Sequence, residues 1–398
     1  MEKKEEKKAF FSAACIMGIT AIGPGFLVQT AQFTSDLKSA CGAAIMVSAF
    51  LAVICQLNIW RVICVSGERA QDLANKVAPG LGYVLSALVV LGGLAFNIGN
   101  VGGGALGLSV LTGISTETCT LIVGGFAITV YLMKNADKVI DRLAKTLCAV
   151  MVLVIVMMIF ITEPPAGEAL KNTFLPYTGP APLIPAVLTL LGATVGGYVT
   201  FSGAHRLVDK GIKGQEHLRE IEKSAVTGIA ITTVVRILLF LAVLGVVKNG
   251  IVLDPENPAA DAFAMGAGKT GYIFAGIVML SASMTPITSA AYTSVSFIKT
   301  FHPFLEKQEK KLIILFIAFS AVIMYAVGKP AALLILASSL NGLILPVVLG
   351  ICLVAAGKEK IMGKGYRHPV FLTVAGGLTA AVLLVLGVSA LGTQLTLL

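Results

Sequence analysis

The chain has 398 residues, 56% of them hydrophobic and only 13% charged, with a mean hydropathy of +0.90. Soluble domains carry about 25% charged residues, so the composition excludes a water-soluble enzyme or nucleic-acid module and implies an integral membrane protein with little soluble mass. The net charge of +9 asks for an explanation other than nucleic acid, and the placement of the bases supplies one.

The first eight residues, Met-Glu-Lys-Lys-Glu-Glu-Lys-Lys, mix acids and bases, and no small-residue cleavage site follows a short apolar core, so no signal peptide is expected. About 20 apolar residues cross a ~30 Å hydrocarbon core. On that measure spans are predicted at 9–36, 40–63, 82–110, 115–133, 140–162, 183–209, 224–247, 271–298, 311–327, 330–356 and 369–392. No loop is long enough for a separate domain, so residues 1–398 are predicted to form one transmembrane domain. With the N-terminus inside, Lys171, Lys248, Lys269 and Lys329 are the only bases on outer loops, and Lys38, Arg61 and Arg236 lie in or beside spans; the rest of the 30 Lys and Arg face the cytoplasm. That asymmetry is the positive-inside rule. It predicts an all-α, multi-pass protein of the cell membrane with eleven transmembrane helices, a cytoplasmic N-terminus and an extracellular C-terminus. The seven cysteines show no CxxC spacing and read as small buried hydrophobes.

Span one contains its own interruption, ITAIGPGFLVQTAQFTSDLK over residues 19–38, with Gly23-Pro24-Gly25 near the middle. Gly and Pro are tolerated in membrane helices when something else satisfies the freed backbone groups. Span six carries a second interruption, Gly196-Gly197, about halfway along PLIPAVLTLLGATVGGYVTFSGAHRLVD. The two lie five spans apart, and an odd offset turns the second copy upside down in the bilayer. Paired broken helices at matching places are the sequence mark of an inverted-repeat transporter with its site at the midplane. The repeats are expected at about 9–162 and 183–356, with 369–392 as an extra helix. Each second half-helix starts at the gap with free N–H groups and a partial positive charge, so the gap is expected to hold a carboxylate or another electron-rich group. Unrelated packing glycines are the alternative.

Candidate lining residues follow from position. Gly23, Gly25 and Phe26 flank the first break, and Gly196, Gly197, Tyr198 and Thr200 flank the second. Gln29 heads a polar run (Gln29, Thr30, Gln32, Thr34, Ser35) that lines a hydrophilic path or bonds between helices. Asn97 and Asn100, at i and i+3, present amides to one side of span three, or else pack beside Gly102 to Gly104. Arg236 sits mid-span with no charge in sequence reach; it acts as a structural counter-charge or attracts an anionic substrate. His205 and Asp209, four apart, could carry a proton or simply end a helix, and Asp36 lies where surface solvation is the plain alternative.

Several stretches resemble the NRAMP family of proton-coupled divalent-metal transporters, which share the LeuT-type 5+5 inverted-repeat fold with broken helices 1 and 6. They are Gln56, Arg61 and Val65-Ser66-Gly67 in span two, Gly192-Ala193-Thr194-Val195 in span six, Ser281 to Thr288 in span eight, and Leu340-Asn341-Gly342 to Pro346 in span ten. The resemblance implies that fold over most of the chain. The ligand positions depart from it. Where the family has Asp-Pro-Gly-Asn, this chain has Gly23-Pro24-Gly25-Phe26, and where it has Met-Pro-His, this chain has Gly196-Gly197-Tyr198. The family's proton-transferring Asp and Glu of span three align with Asn97 and Asn100. Every change removes a charge or a ligand, whereas a divalent cation near the bilayer centre needs both.

The expected function is therefore secondary transport, by alternating access, of a small organic solute bearing a carboxylate, such as an amino-acid derivative of the 5-oxoproline kind. The alternative is a divalent cation, Mg²⁺ or Mn²⁺. H⁺ and Na⁺ are the candidate coupling ions. The implied partners are a small molecule and the lipid bilayer, with no nucleic acid, no cofactor and no resident metal. The chain carries no HExxH, GxSxG or GxxxxGK[ST] motif, so no enzyme is expected.

Overall fold

The computed structural model describes Phe10 and residues 21–133, 136–209, 211–248, 250–299 and 301–394, with side chains for all of these except 136–145, 147–148, 202, 206, 209 and 388–394. Nearly all of this is helix. Among the described residues, eight helical stretches are long and apolar enough to cross a membrane, or nine counting one bent pair. One of the eight, Pro24–Ser66, covers 43 residues, about twice what a bilayer needs at ~1.5 Å per residue. It divides at Lys38, whose φ of 48° ends the first helix. By this measure the predicted eleven spans are not all counted. Two predicted spans share that stretch, and Thr116–Leu132, at 17 residues, is short.

α1 (Pro24–Leu37) starts on a proline at its first position, where the missing N–H costs nothing and φ is already set. Thr30 and Thr34 return their hydroxyls to the carbonyls of Phe26 and Thr30, at 2.7 and 2.6 Å, so neither is left unmet at membrane depth. α2 (Cys41–Ser66) closes on Gly67 in the left-handed region, φ 66°. The short amphipathic α3 (Ala70–Val77) leads into α4 (Leu81–Thr112) and then α5 (Thr116–Leu132). α6 (Ala136–Thr162) bends by 108° into α7 (Ala166–Phe174), because Pro164-Pro165 cannot continue a helix. The sequence reading stopped at 162 and missed that second arm.

The second half follows the predicted order. α8 (Pro180–Val195) and α9 (Tyr198–Asp209) together replace the single predicted span 183–209. α10 (Leu218–Val247) is followed by α11 (Pro258–Lys299), which is kinked where Ala267 and Gly268 leave helical angles. The part before the kink was not predicted; Ala259, Ala260, Ala262 and Phe263 bury it. α12 (Pro303–Lys307), α13 (Glu309–Val327), α14 (Pro330–Ala356), α15 (Glu359–Met362) and α16 (Val370–Gln394) complete the chain.

α4 is the spine. Gly93, Gly104 and Gly107 turn to α11, where an added Cβ would meet Ser294, Ser283 and the backbone of Gly276 and Leu280. Gly103 turns to Pro24 at the start of α1. Small residues of this kind let membrane helices approach closely, and here they bring α1, α4 and α11 to one place.

Candidate functional site

Both interruptions are present and share a backbone design. At the first, Gly23 is extended (φ −107°, ψ −173°) and Phe26 N–H donates to the Gly23 carbonyl at 3.0 Å. At the second, Gly196 is extended (φ −77°, ψ 154°) and Val199 N–H donates to the Gly196 carbonyl at 3.2 Å. Matching these turns pairs Gly23 with Gly196 and Phe26 with Val199. Tyr198 therefore corresponds to Gly25. The breaks differ in one residue: Gly197 takes φ 51°, a region open to glycine at little cost, where the first break has Pro24.

Three further helices, α4, α11 and α14, close on the breaks. A Cβ at Gly23 would stand 3.5 Å from Pro286 Cγ on α11 and 3.7 Å from Asn100 Oδ1 on α4. Tyr198 is buried, with the side chains of Asn100 and Ser289 near its hydroxyl, and the edge of its ring meets Phe96 at 5.6 Å. Asn341 of α14 lies directly against Gly197 and donates from Nδ2 to the carbonyls of Gly92 and Ala337, at 2.9 and 2.8 Å. Gln29 donates to Ser338 Oγ and, at 3.1 Å, to the Leu334 carbonyl of the same α14. Gly23, Gly25, Gln29, Asn100, Gly196, Gly197 and Tyr198 are thus gathered around one centre.

The chemistry of that centre is neutral and amphoteric. Both amide atoms of Asn97, Asn100 Nδ2, Gln29 Oε1, Asn341 Oδ1 and Thr285 Oγ1 are buried with no hydrogen-bond partner. Buried polar groups are almost always paired, and leaving one unmet costs about 1–3 kcal/mol. Several together around paired helix breaks make a surface that offers both donors and acceptors to something that enters. Among the described residues, no three His, Cys, Asp or Glu come together in a way that could hold a metal ion.

The remaining predicted residues stand elsewhere. Thr200 donates its hydroxyl to Gln56 Oε1 at 2.8 Å, and its carbonyl accepts from Trp60 Nε1 at 2.8 Å, so it joins α9 to α2. Asp36 is exposed and accepts from Gln32 Nε2 at 2.9 Å, about 18 Å along the helix from Pro24 at ~1.5 Å per residue. His205 stacks on Phe201 and accepts at Nε2 from the Ala70 N–H, 3.3 Å away, which seats α3. The Asp209 side chain lies outside the described residues. Arg236 donates from Nη1 to the Leu190 carbonyl at 3.1 Å and to Thr194 Oγ1 at 3.0 Å, and its guanidinium lies 4.5 Å from the centre of the Phe26 ring. Asp36, His205 and Arg236 each have different partners, so the structure does not assemble them into one relay. Asn341, Ser338, Ser289 and Thr285 were missed as site residues. Each lies in a polar stretch of span eight or ten, and an orphaned polar residue beside Pro286 or Gly342 was the available signal.

A helical membrane domain with two broken helices meeting at a polar centre defines a secondary transporter of LeuT-type architecture. Residues 14–393 match the natural resistance-associated macrophage protein-like family, and the chain belongs to that family. It is 51% identical over 383 residues to the uncharacterized membrane protein YcsG of Bacillus subtilis strain 168, covering 96% of this chain and 94% of that one. The fold is similar to that of an Eremococcus coleocola manganese transporter, with a TM-score of 0.79 at 18% identity over 98% of this chain and 87% of that one. It is also similar to that of MhsT solved in complex with L-phenylalanine, with a TM-score of 0.67 at 14% identity over 95% of this chain and 98% of the other. The family and the fold are those of transporters, not of enzymes.

Proposed function

We propose that this transporter moves a small organic solute bearing a carboxylate, of the amino-acid-derivative or 5-oxoproline kind, across the plasma membrane by alternating access. The observation that carries the reading is the composition of the centre. Neutral amides and hydroxyls with unmet hydrogen bonds surround two helix breaks, and the ligand positions of the first and sixth spans are Gly23, Phe26 and Gly196. Such a surface supplies hydrogen bonds to both oxygens of a carboxylate and to an amide or amine beside it. It supplies no anionic oxygen to offset the desolvation of a divalent cation. The partially positive starts of α1 and α9 favour the negative end of the solute. H⁺ or Na⁺ is the candidate coupling ion, with the N-terminus cytoplasmic.

A second reading, transport of a divalent cation, is favoured by the fold it shares with a manganese transporter. A largely hydrated Mg²⁺ could bind through water and backbone carbonyls without carboxylate ligands. Isothermal calorimetry on the purified protein separates the two. Mn²⁺ and Mg²⁺ are titrated first, then a panel of small carboxylates and amino-acid derivatives. Heat from one carboxylate and none from metals is expected. Saturable Mn²⁺ binding would return the chain to the metal transporters.

A further inference from the structure

The strongest unassigned chemistry lies outside the centre, at Arg236. Its side chain is 4% exposed on α10, and none of the ion pairs among the described residues includes it. One end of the guanidinium is occupied: Nη1 caps the C-terminal turn of α8 through the Leu190 carbonyl and Thr194 Oγ1, where a helix carries partial negative charge. The face lies over Phe26. The other two nitrogens, Nε and Nη2, are buried with no hydrogen-bond partner.

Those two nitrogens are not scattered donors. Nε–H and Nη2–H point the same way from one edge of the planar guanidinium, and that edge is the fork that takes the two oxygens of a carboxylate or a single spherical anion between them. A cavity adjoins Arg236 between α2, α8 and α10, with about 10 Å³ open to the centre of a water-sized sphere. Its walls are Ile45, Ser48 and Ala49 of α2, Thr194 of α8, and Thr232 and Thr233 of α10; the hydroxyls of Ser48, Thr194 and Thr232 already donate to the Ile45, Leu190 and Ile229 carbonyls. A buried cation with an unmet edge is costly. The lining side chains other than Arg236 are neutral and do not neutralise it.

We infer that Arg236 holds a monovalent anion, chloride or a carboxylate group, on its Nε/Nη2 edge in the cavity between α2, α8 and α10. The site is distinct from the substrate centre: its walls come from α2, α8 and α10, whereas the centre is closed by α4, α11 and α14. Phe26 and Thr194, a few residues from either break, join the two. Occupancy would fix the outer half-helices against α2 and α10. The inference does not depend on the identity of the transported solute.

Thermal unfolding of the purified, detergent-solubilised protein tests it, with chloride, bromide or nitrate replacing the bulky sulfonate isethionate at constant ionic strength. A saturable upward shift of the melting temperature is expected for the wild type. Arg236→Lys keeps a cation but loses the fork, and is expected to weaken the apparent anion affinity by about tenfold or more. If Arg236→Lys fails to fold, Thr194→Val and Ser48→Ala serve in its place and are expected to raise the apparent chloride Kd. No saturable anion effect in the wild type, or an effect unchanged in whichever variants fold, overturns the proposal.

Two further arms distinguish the sources. Chloride stabilisation that leaves solute affinity untouched identifies an inorganic anion. Stabilisation by small carboxylates that compete with chloride, lost in the same variants, places a carboxylate on the same fork. If no organic solute binds at the centre while chloride still protects the wild type, the proposed function fails and the anion site stands.

Discussion

Asn341 Oδ1 occupies the space where a side chain at Gly197 would begin, so α14 reads directly the left-handed glycine at the second break. Two costs therefore fall on any substitution at 197: left-handed backbone for an L-residue, about 1–2 kcal/mol, and an overlap with a buried amide. Gly197→Ala is expected to fold with a lowered melting temperature and to lose at least tenfold in solute uptake by reconstituted vesicles. Asn341→Ala removes the overlapping group but not the strain, and the double variant is expected to recover part of the lost stability. Full activity in Gly197→Ala would mean that this contact does not shape the centre.

The two glycines at the family's metal-ligand positions are sterically unequal. A Cβ at Gly23 would meet its neighbours at ordinary contact distance, 3.5 and 3.7 Å, whereas one at Gly196 would overlap the Gly192 carbonyl and stand 2.8 Å from Gly192 Cα. Gly23→Asp is expected to melt within a few degrees of the wild type, while Gly196→Met is expected to be much less stable. Thermal melts of both, followed by Mn²⁺ titration of Gly23→Asp, check this. A stable Gly196→Met protein would show that α8 can shift to admit a side chain.

Gly203 lies beneath the indole of Trp60, which is fully buried and holds the Thr200 carbonyl. The half-helix α9 is docked on α2 by that ring and by the Thr200–Gln56 hydrogen bond. Gly203→Ala overpacks the contact, at a cost of about 1–3 kcal/mol. A lowered melting temperature is expected, larger than that of Gly377→Ala, a position with open space around it.

A pH response is expected at the base-rich end of the bundle. His368 accepts or donates at both ring nitrogens, to Tyr366 at 2.7 Å and to Asn58 at 2.9 Å, and Arg61 beside it pairs with Glu222 and donates to Tyr366 at 3.0 Å. Burial, and then the charge of Arg61, pull the His368 pKa down to about 4 from an unfolded value near 6.5. The unfolded chain thus binds the proton first. The stability this neutral imidazole contributes is complete above about pH 6.5 and falls away as pH drops towards 4. Melting curves across that window should show the loss, and His368→Gln should flatten it. An unchanged slope in the variant would assign the acid sensitivity to other groups.

What could be read without coordinates rested on local chemistry. Apolar length predicted spans such as 82–110 and 330–356, observed as Leu81–Thr112 and Pro330–Ala356, because a bilayer demands intrahelical hydrogen bonds over a fixed thickness. Gly23-Pro24 and Gly196-Gly197 were legible as breaks because proline and left-handed glycine act through their own backbone angles. The short helix Ala166–Phe174 and the segment 258–266 before the kink of α11 were not legible, since their burial comes from neighbours remote in sequence.

The site divides in the same way. Gln29 and Tyr198 could be named from their distance to a break, and Asn100 from its i, i+3 spacing with Asn97, but the pairing of Tyr198 with Gly25 needed the hydrogen bonds of both turns. Asn341 lies 144 positions from Gly197, and nothing in either local sequence says that they touch. Arg236 was visible as a charge within a span; its unmet edge became visible only once α8 was seen to occupy the other end. Sequence by itself determined where the chain crosses and where it breaks, because those depend on each residue's own backbone and its preference for lipid or water. Tertiary structure alone decided which polar atoms are left without partners, because that depends on what every other helix brings to the same place.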